Sequence, residues 1–209
     1  TLNKTTVFYG GVFYPVFFGG SREVTIPAGE RVVSDGLEVK LNEGELIQVS
    51  FYLKDFTLMR SVVYACGPLS EGMYANGDET ENAKIDILTS RKTHLFYFLS
   101  NVSVLTEDGN RAIVCYGDSI TAQNWPDELA LRCFTEGYSK TAVIRRATSG
   151  SRILRQYDCI TYESYGLMGK NRFAHEVPTD GADTVIIQQG INDIIHPVGV
   201  EVNEFRPMS

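Results

Sequence analysis

No stretch of this chain is apolar over the ~20 consecutive residues that a membrane-spanning helix needs. The chain also lacks the apolar segment behind a basic start that marks a secretory signal. Its first residue is threonine rather than methionine, and we expect Thr1 to be an internal start. We expect a cytoplasmic protein, and secretion stays open because of that start.

Concentrated positive charge is missing as well. The chain has 19 basic and 26 acidic residues, a formal net charge of -7 and a pI near 5.0. The closest approach to a basic patch is the pair Arg145 and Arg146 followed by Arg152 and Arg155. Nucleic acid and anionic membranes are therefore not expected as partners.

Clustered cysteines are absent too. The chain contains no C-x-x-C motif, and its four cysteines are widely spaced: Cys66, Cys115, Cys133 and Cys159. A zinc site or a disulfide framework needs closer clustering. We expect reduced thiols, with Cys115 serving as a small apolar residue of a buried strand.

Residues 1–110 consist of short apolar segments, rich in aromatic and β-branched residues, between turn sequences such as Gly10-Gly11. Alternation of period two predicts strands in three of these segments, residues 24–26, 37–41 and 49–53. We expect residues 71–83 to form a loop and residues 94–106 to return to strand. This spacing predicts an all-β sandwich or jelly-roll domain that ends at the polar turn 107–110.

From residue 111 onward the pattern alternates between strands and helices. Residues 112–116 form a short apolar run with a β-branched centre, as in a strand buried on both faces. Further strands are predicted over 142–144 and 184–188, and a helix is predicted after Pro126. The alternation predicts a doubly wound α/β sheet. Because right-handed crossovers bring parallel strand ends to one edge, the segments after these three strands should meet there.

Those three segments carry a family resemblance. Residues 117–121, Gly-Asp-Ser-Ile-Thr, resemble the first block of the SGNH hydrolases, also called the GDSL esterase family. Residues 147–152 and 190–193 resemble the second and third blocks, in the family's order. The resemblance implies a flavodoxin-like, three-layer α/β/α SGNH hydrolase domain over 111–209, incomplete at its carboxyl end. Residues 18–29 resemble the β-domain that precedes the hydrolase domain in one bacterial group of these enzymes.

The resemblance implies a role for one residue of each block. Ser119 would be the nucleophile, and its backbone N–H would face the oxyanion. Gly150 would offer a second backbone N–H, and Asn192 a side-chain amide. Without the resemblance, the same residues are a turn serine, a turn glycine and a helix cap. No metal or cofactor is implied.

The family's fourth block, Asp-x-x-His, supplies the general base near the carboxyl end of the hydrolase domain. The one Asp-x-x-His spacing in the 209 residues, Asp193 to His196, overlaps the third block and is not a separate fourth block. We therefore expect the base in another segment, and a complementary carboxyl-terminal fragment or a longer chain as partner. His196 is the candidate within the chain because it follows Asn192 by four residues, although with Pro197 it could simply shape a loop. His94, expected to begin a strand, and His175, expected in a connecting loop, fit surface or capping roles.

The combined prediction is a serine-dependent carboxylic ester hydrolase that works through an acyl-enzyme. Small acyl esters are the expected substrates, with acetyl groups on carbohydrate first. Two alternatives stay open. One is a lipid or aryl acyl hydrolase with the same machinery, and the other is a glycan-binding or interaction protein without turnover.

Overall fold

The computed structural model describes residues 1–57, 62–86, 88, 90–107, 109–156, 166–179 and 181–195. Within these ranges the chain forms ten strands and three helices and is mainly β. It divides into two compact units, Thr1–Met59 with Met73–Lys92 and Arg60–Gly72 with Thr93–Ser209. The second unit takes in residues 93–107 as well as the strand before Ser119, whereas the sequence predicts a boundary after residue 110.

The first unit is organised around a three-stranded antiparallel sheet. In the order β2-β1-β3, it contains β1 (Lys4–Tyr9), β2 (Val12–Pro15) and β3 (Gln48–Tyr52). Gly10 and Gly11 join β1 to β2 with φ angles of 57° and 82°. A type I′ hairpin turn requires such positive angles at both central residues. The central strand β1 buries Thr5, Thr6 and Tyr9.

Residues 1–110 contain strands and no helix in the described ranges, as predicted, but the predicted sandwich or jelly roll is wrong, because these strands form one three-stranded sheet and two two-stranded pairs. Of the three segments with period-two alternation, only 49–53 lies on a strand, β3. Leu37 and Leu41 each remain 36% exposed, so the alternation at 37–41 buries no face and forms no strand. The segment predicted as a loop, residues 71–83, instead contains a strand, β5 (Gly72–Ala75). This strand pairs with β6 (Ser90–Thr93), which lies after that segment.

The second unit is organised around a three-stranded parallel sheet in the order β10-β8-β9. Its strands confirm the three predicted ones and are β8 (Arg111–Gly117), β9 (Thr141–Ala147) and β10 (Ala182–Gln188). The central strand β8 is fully buried at Val114 and Cys115, as its apolar run predicts. A two-stranded antiparallel ribbon in the same unit pairs β4 (Val63–Tyr64) with β7 (Leu95–Phe96).

Three helices occur in the described part of this unit, α1 (Trp125–Thr135), α2 (Gly169–Glu176) and α3 (Ile191–Ile195). Pro126 lies in the first turn of α1, where a proline interrupts no helical hydrogen bond, and this confirms the helix predicted there. His175 belongs to α2 rather than to a connecting loop. None of these helices is long and apolar enough to cross a membrane.

The predicted three-layer α/β/α SGNH domain is wrong. Such a domain covers both faces of its sheet with helices. Successive side chains of a strand point to opposite faces, yet Val185, Ile186 and Ile187 of β10 are 37%, 37% and 57% exposed. Among the residues that the structure describes, no helical layer therefore covers either face of β10. The helices in the described ranges are too few and too short to build two layers.

Candidate active site

The parallel register brings the three sequence blocks to one edge of the second unit's sheet. Gly117, the last residue of β8, pairs with Ala147 of β9 and with Gln188 of β10. The segments that follow these residues leave the sheet at the same edge. Each of them contains one predicted site residue: Ser119, Gly150 or Asn192.

Gly117 packs closely against the end of β10. A Cβ atom at this position would overlap the carbonyl oxygen of Gln188 and the side chain of Thr121. Thr121 Oγ1 donates a hydrogen bond to that same carbonyl at 3.2 Å. The close approach therefore depends on glycine, and it ties the turn after β8 to the end of β10.

Ser119 lies in the tight turn that follows Gly117. The Asp118 carboxylate accepts a hydrogen bond from the Ile120 N–H at 3.0 Å, and the Asp118 carbonyl accepts one from the Ala122 N–H at 3.0 Å. Ser119 itself is half-buried. Neither its hydroxyl nor its backbone N–H is hydrogen-bonded to a residue of the described ranges. The turn is thus fixed by its neighbours while the polar groups of Ser119 remain free to meet a ligand.

Gly150 lies in a turn that is tied to the strand before Ser119. The Thr148 N–H donates to the Gly117 carbonyl at 3.1 Å, and the Ser151 N–H donates to the Thr148 carbonyl at 3.2 Å. Gly150 has a φ of 76°, in the left-handed region that glycine adopts without strain. Its backbone N–H donates to none of the residues that the structure describes. This edge of the sheet therefore carries a second backbone donor without an acceptor.

Asn192 lies in α3 and holds the second block in place. Its Nδ2 donates to the Ser151 carbonyl at 3.1 Å. An amide nitrogen carries two protons, so one N–H supports the Gly150 turn and the other stays available. The neighbouring Asp193 carboxylate accepts a hydrogen bond from the Ile153 N–H at 2.8 Å. Two adjacent residues of the third block thus bind the second block and the residue that follows it.

Asp118 is an acidic group buried beside the candidate nucleophile. It is 1% exposed and borders a cavity of about 90 Å³ that is also lined by Ile120, Gln188, Gln189 and Ile191. Burial raises the pKa of this carboxyl group, and the negative Asp193 adds to the rise, while the Ile120 and Gly190 N–H groups oppose it. The Gly190 N–H lies near the carboxylate without hydrogen-bonding geometry, so Asp118 Oδ2 has no partner in the described part of the chain.

Sequence reasoning missed Arg172, which joins the first two blocks. Its guanidinium donates to the Gly117 carbonyl at 3.1 Å and to Ser151 Oγ at 3.2 Å. It also pairs with Glu176 at 2.5 Å. The opposite charges of Arg172 and Glu176, four residues apart, are a helix pattern that could have been read from the sequence. The contacts with Gly117 and Ser151 have no sequence pattern, because they join residues from different elements.

A second missed cluster centres on Asp127 in the first turn of α1. Its carboxylate accepts hydrogen bonds from the Leu69 N–H at 2.8 Å, from Ser70 Oγ at 3.0 Å and from the Arg145 guanidinium at 2.6 Å. The Cys66 N–H donates to the Ala122 carbonyl at 2.9 Å in the same region. Residues 66–70 are therefore held against the helix that follows the Ser119 turn.

The structure describes two of the three histidines. His94 lies between β6 and β7, with its ring 6.3 Å from that of Tyr64, so it does not begin a strand. His175 lies in the last turn of α2 and is exposed. His196, the candidate base within the chain, lies outside the described residues. No group of three or more His, Cys, Asp or Glu side chains within the described ranges could hold a metal ion.

The arrangement combines a serine hydroxyl, two backbone N–H groups without acceptors and a side-chain amide at one sheet edge. Such a set can bind a carbonyl compound and stabilise negative charge on its oxygen. No protein-family model matches the chain, and no curated protein sequence matches it.

Proposed function

We propose that this chain supplies the nucleophile and the oxyanion donors of a serine-dependent ester hydrolase. The observation that carries the proposal is the convergence of the three blocks on Gly117 and Ser151. Direct hydrogen bonds join the blocks there, while Ser119 and Gly150 keep donors without acceptors. The hydroxyl of a turn serine with a purely structural role usually forms a hydrogen bond with the neighbouring backbone.

In the proposed reaction the Ser119 hydroxyl oxygen attacks the ester carbonyl carbon, and its proton passes to a histidine base. The negative charge that forms on the carbonyl oxygen is bound by the N–H groups of Ser119 and Gly150 and by the free N–H of Asn192. The bond from carbon to the alcohol oxygen then breaks, and the alcohol leaves with the proton. Water attacks the acyl-enzyme in the same way and releases the acid and free Ser119.

We place the base outside residues 1–195, because neither His94 nor His175 is hydrogen-bonded to Ser119 in the described ranges. His196 or a histidine of another segment or partner chain would fill this role. The proposed substrates are small acyl esters, with acetylated carbohydrate first.

The test compares hydrolysis of p-nitrophenyl acetate by the wild-type protein, by Ser119→Ala and by Ser103→Ala, which changes an exposed serine outside the three blocks. Ser119→Ala should abolish turnover above background, and Ser103→Ala should leave it unchanged. Asn192→Ala should lower kcat by roughly 10²- to 10³-fold, as expected for one lost oxyanion donor. A fluorophosphonate probe should label the wild-type protein at Ser119, as located by peptide mass.

Equal turnover of the wild-type and Ser119→Ala proteins would refute the proposal. If turnover and labelling were both absent, a binding role without catalysis would be favoured instead. Esters of acetate, butyrate and octanoate would separate an acetylesterase from a lipid acyl hydrolase. Loss of both turnover and labelling in a folded His196→Ala protein would assign the base to that residue.

A further inference from the structure

The structure assigns Arg172 as a positioning residue that sets the distance between the two backbone oxyanion donors, an inference that rests on the proposed function. Arg172 touches neither Ser119 nor Gly150 through a hydrogen bond in the described ranges. It acts on the residue two positions before Ser119, Gly117, and on the residue directly after Gly150, Ser151.

One guanidinium nitrogen makes both of these contacts. Arg172 Nη2 lies 3.1 Å from the Gly117 carbonyl oxygen and 3.2 Å from Ser151 Oγ. The Gly117 carbonyl also accepts a hydrogen bond from the Thr148 N–H at 3.1 Å. The end of β8 is therefore bonded both to Arg172 and to the turn that contains Gly150. Ser151 Oγ receives a further bond from Gln189 Nε2 at 3.0 Å. One nitrogen atom of Arg172 thus contacts both the first and the second block.

The guanidinium itself has little freedom to move. Arg172 is 4% exposed, and its Cζ lies 4.8 Å above the ring of Tyr116, a cation–π arrangement. Its other terminal nitrogen pairs with Glu176 at 2.5 Å. Because the guanidinium is planar, contacts with Glu176 and Tyr116 fix the direction of the bonds to Gly117 and Ser151. Lysine is a point charge on a flexible stem and cannot reproduce this geometry.

Substitution of Arg172 should change kcat rather than substrate binding. Oxyanion donors act on charge that forms in the transition state, and a misplacement of about 1 Å can cost about 10²-fold. Arg172→Lys should therefore lower kcat about 10- to 10²-fold and leave KM unchanged, the pattern of an interaction made only in the transition state. Arg172→Met, which also removes the charge, should lower kcat further.

Two control variants separate positioning from general support of the fold. Glu176→Gln removes the negative charge but keeps a side-chain oxygen that can accept the Arg172 hydrogen bond, so the guanidinium stays oriented and kcat should stay close to the wild-type value. Arg132 also forms an i,i+4 ion pair with a glutamate, but its side chain is 72% exposed. Arg132→Lys should therefore leave kcat unchanged. All variants are compared well below their urea and thermal transitions, so that each is fully folded.

A second measurement does not depend on activity. Backbone amide hydrogen exchange, read by mass spectrometry, should increase at residues 147–153 in Arg172→Met and stay unchanged there in Glu176→Gln. Peptides from β1 in the first unit serve as the internal reference.

Each outcome bears on one of the two proposals. If turnover depends on Ser119 but Arg172→Lys keeps the wild-type kcat, or lowers it no more than Glu176→Gln does, the positioning inference is wrong. If the wild-type protein shows no turnover dependent on Ser119, the proposed function fails. In that case increased exchange at 147–153 in Arg172→Met would still support the assignment of Arg172, and unchanged exchange would overturn it.

Discussion

Removing the carboxylate of Asp127 should destabilise the second unit by about 3–5 kcal/mol, the usual cost of breaking a buried ion pair by deleting one partner. The side chains of Asp127 and Arg145 are only 11% and 10% exposed, and their closest atoms are 2.6 Å apart. The change proposed is Asp127→Ala. It removes the acceptor for Arg145, for the Leu69 N–H and for Ser70 Oγ.

The size of the effect follows from these three bonds. Neutral hydrogen bonds contribute roughly 1 kcal/mol each, and bonds to charged groups roughly 1.5–3 kcal/mol. The substitution also leaves the Arg145 guanidinium buried without its counter-charge, and it removes an acidic group from the first turn of α1. The ratio of folded to unfolded protein should fall roughly 10²- to 10⁴-fold, since about 1.4 kcal/mol corresponds to one factor of ten.

Urea unfolding followed by tryptophan fluorescence is the assay. The chain has one tryptophan, Trp125, which lies two residues before Asp127. Glu136→Ala is the matched control because its pair with Arg132 is exposed, at 52% and 72%, and exposed pairs contribute about 0–1 kcal/mol. A double-mutant cycle with Arg145→Met isolates the coupling between the two charges. If Asp127→Ala costs no more than Glu136→Ala, the cluster is not desolvated and the reasoning is wrong.

Two further predictions concern buried titratable groups. Burial raises the pKa of Cys115 to about 12, so iodoacetamide near pH 8 should alkylate the half-buried Cys66 and Cys133 and spare Cys115 until denaturant is added. Peptide masses would show this, and labelling of Cys115 as fast as Cys133 in the native protein would contradict it. Burial also raises the pKa of Asp118 in the folded state. The folded state therefore binds this proton more tightly than the unfolded chain, and stability should fall as pH rises through the interval between the two pKa values. Asp118→Asn should remove this part of the pH dependence, measured as the difference in urea midpoint between the two proteins from acid to neutral pH. Parallel curves for the two proteins would count against the buried carboxyl group as the cause.

The amino-acid sequence by itself determined four local elements of the second unit. The apolar run at 112–116, the two later β-branched segments and the proline near residue 126 predicted β8, β9, β10 and the start of α1, and the structure confirms all four. The parallel order of these strands was enough to predict that Ser119, Gly150 and Asn192 leave the sheet at one edge. These predictions succeeded because burial of a strand and initiation of a helix leave short-range patterns.

Only the tertiary structure decided how many layers cover the sheet and which side chains hold the blocks together. Period two at 37–41 is compatible with a strand, but a strand needs a partner and a face to bury, and neither exists for Leu37 and Leu41. The run in β10 is apolar, yet its side chains stay exposed, and no helix of the described ranges forms a layer over them. Arg172 meets Gly117 across 55 residues, and Asp127 meets Leu69 across 58. Contacts at such separations carry no local pattern, because they arise only when the folded chain brings remote donors and acceptors together away from water.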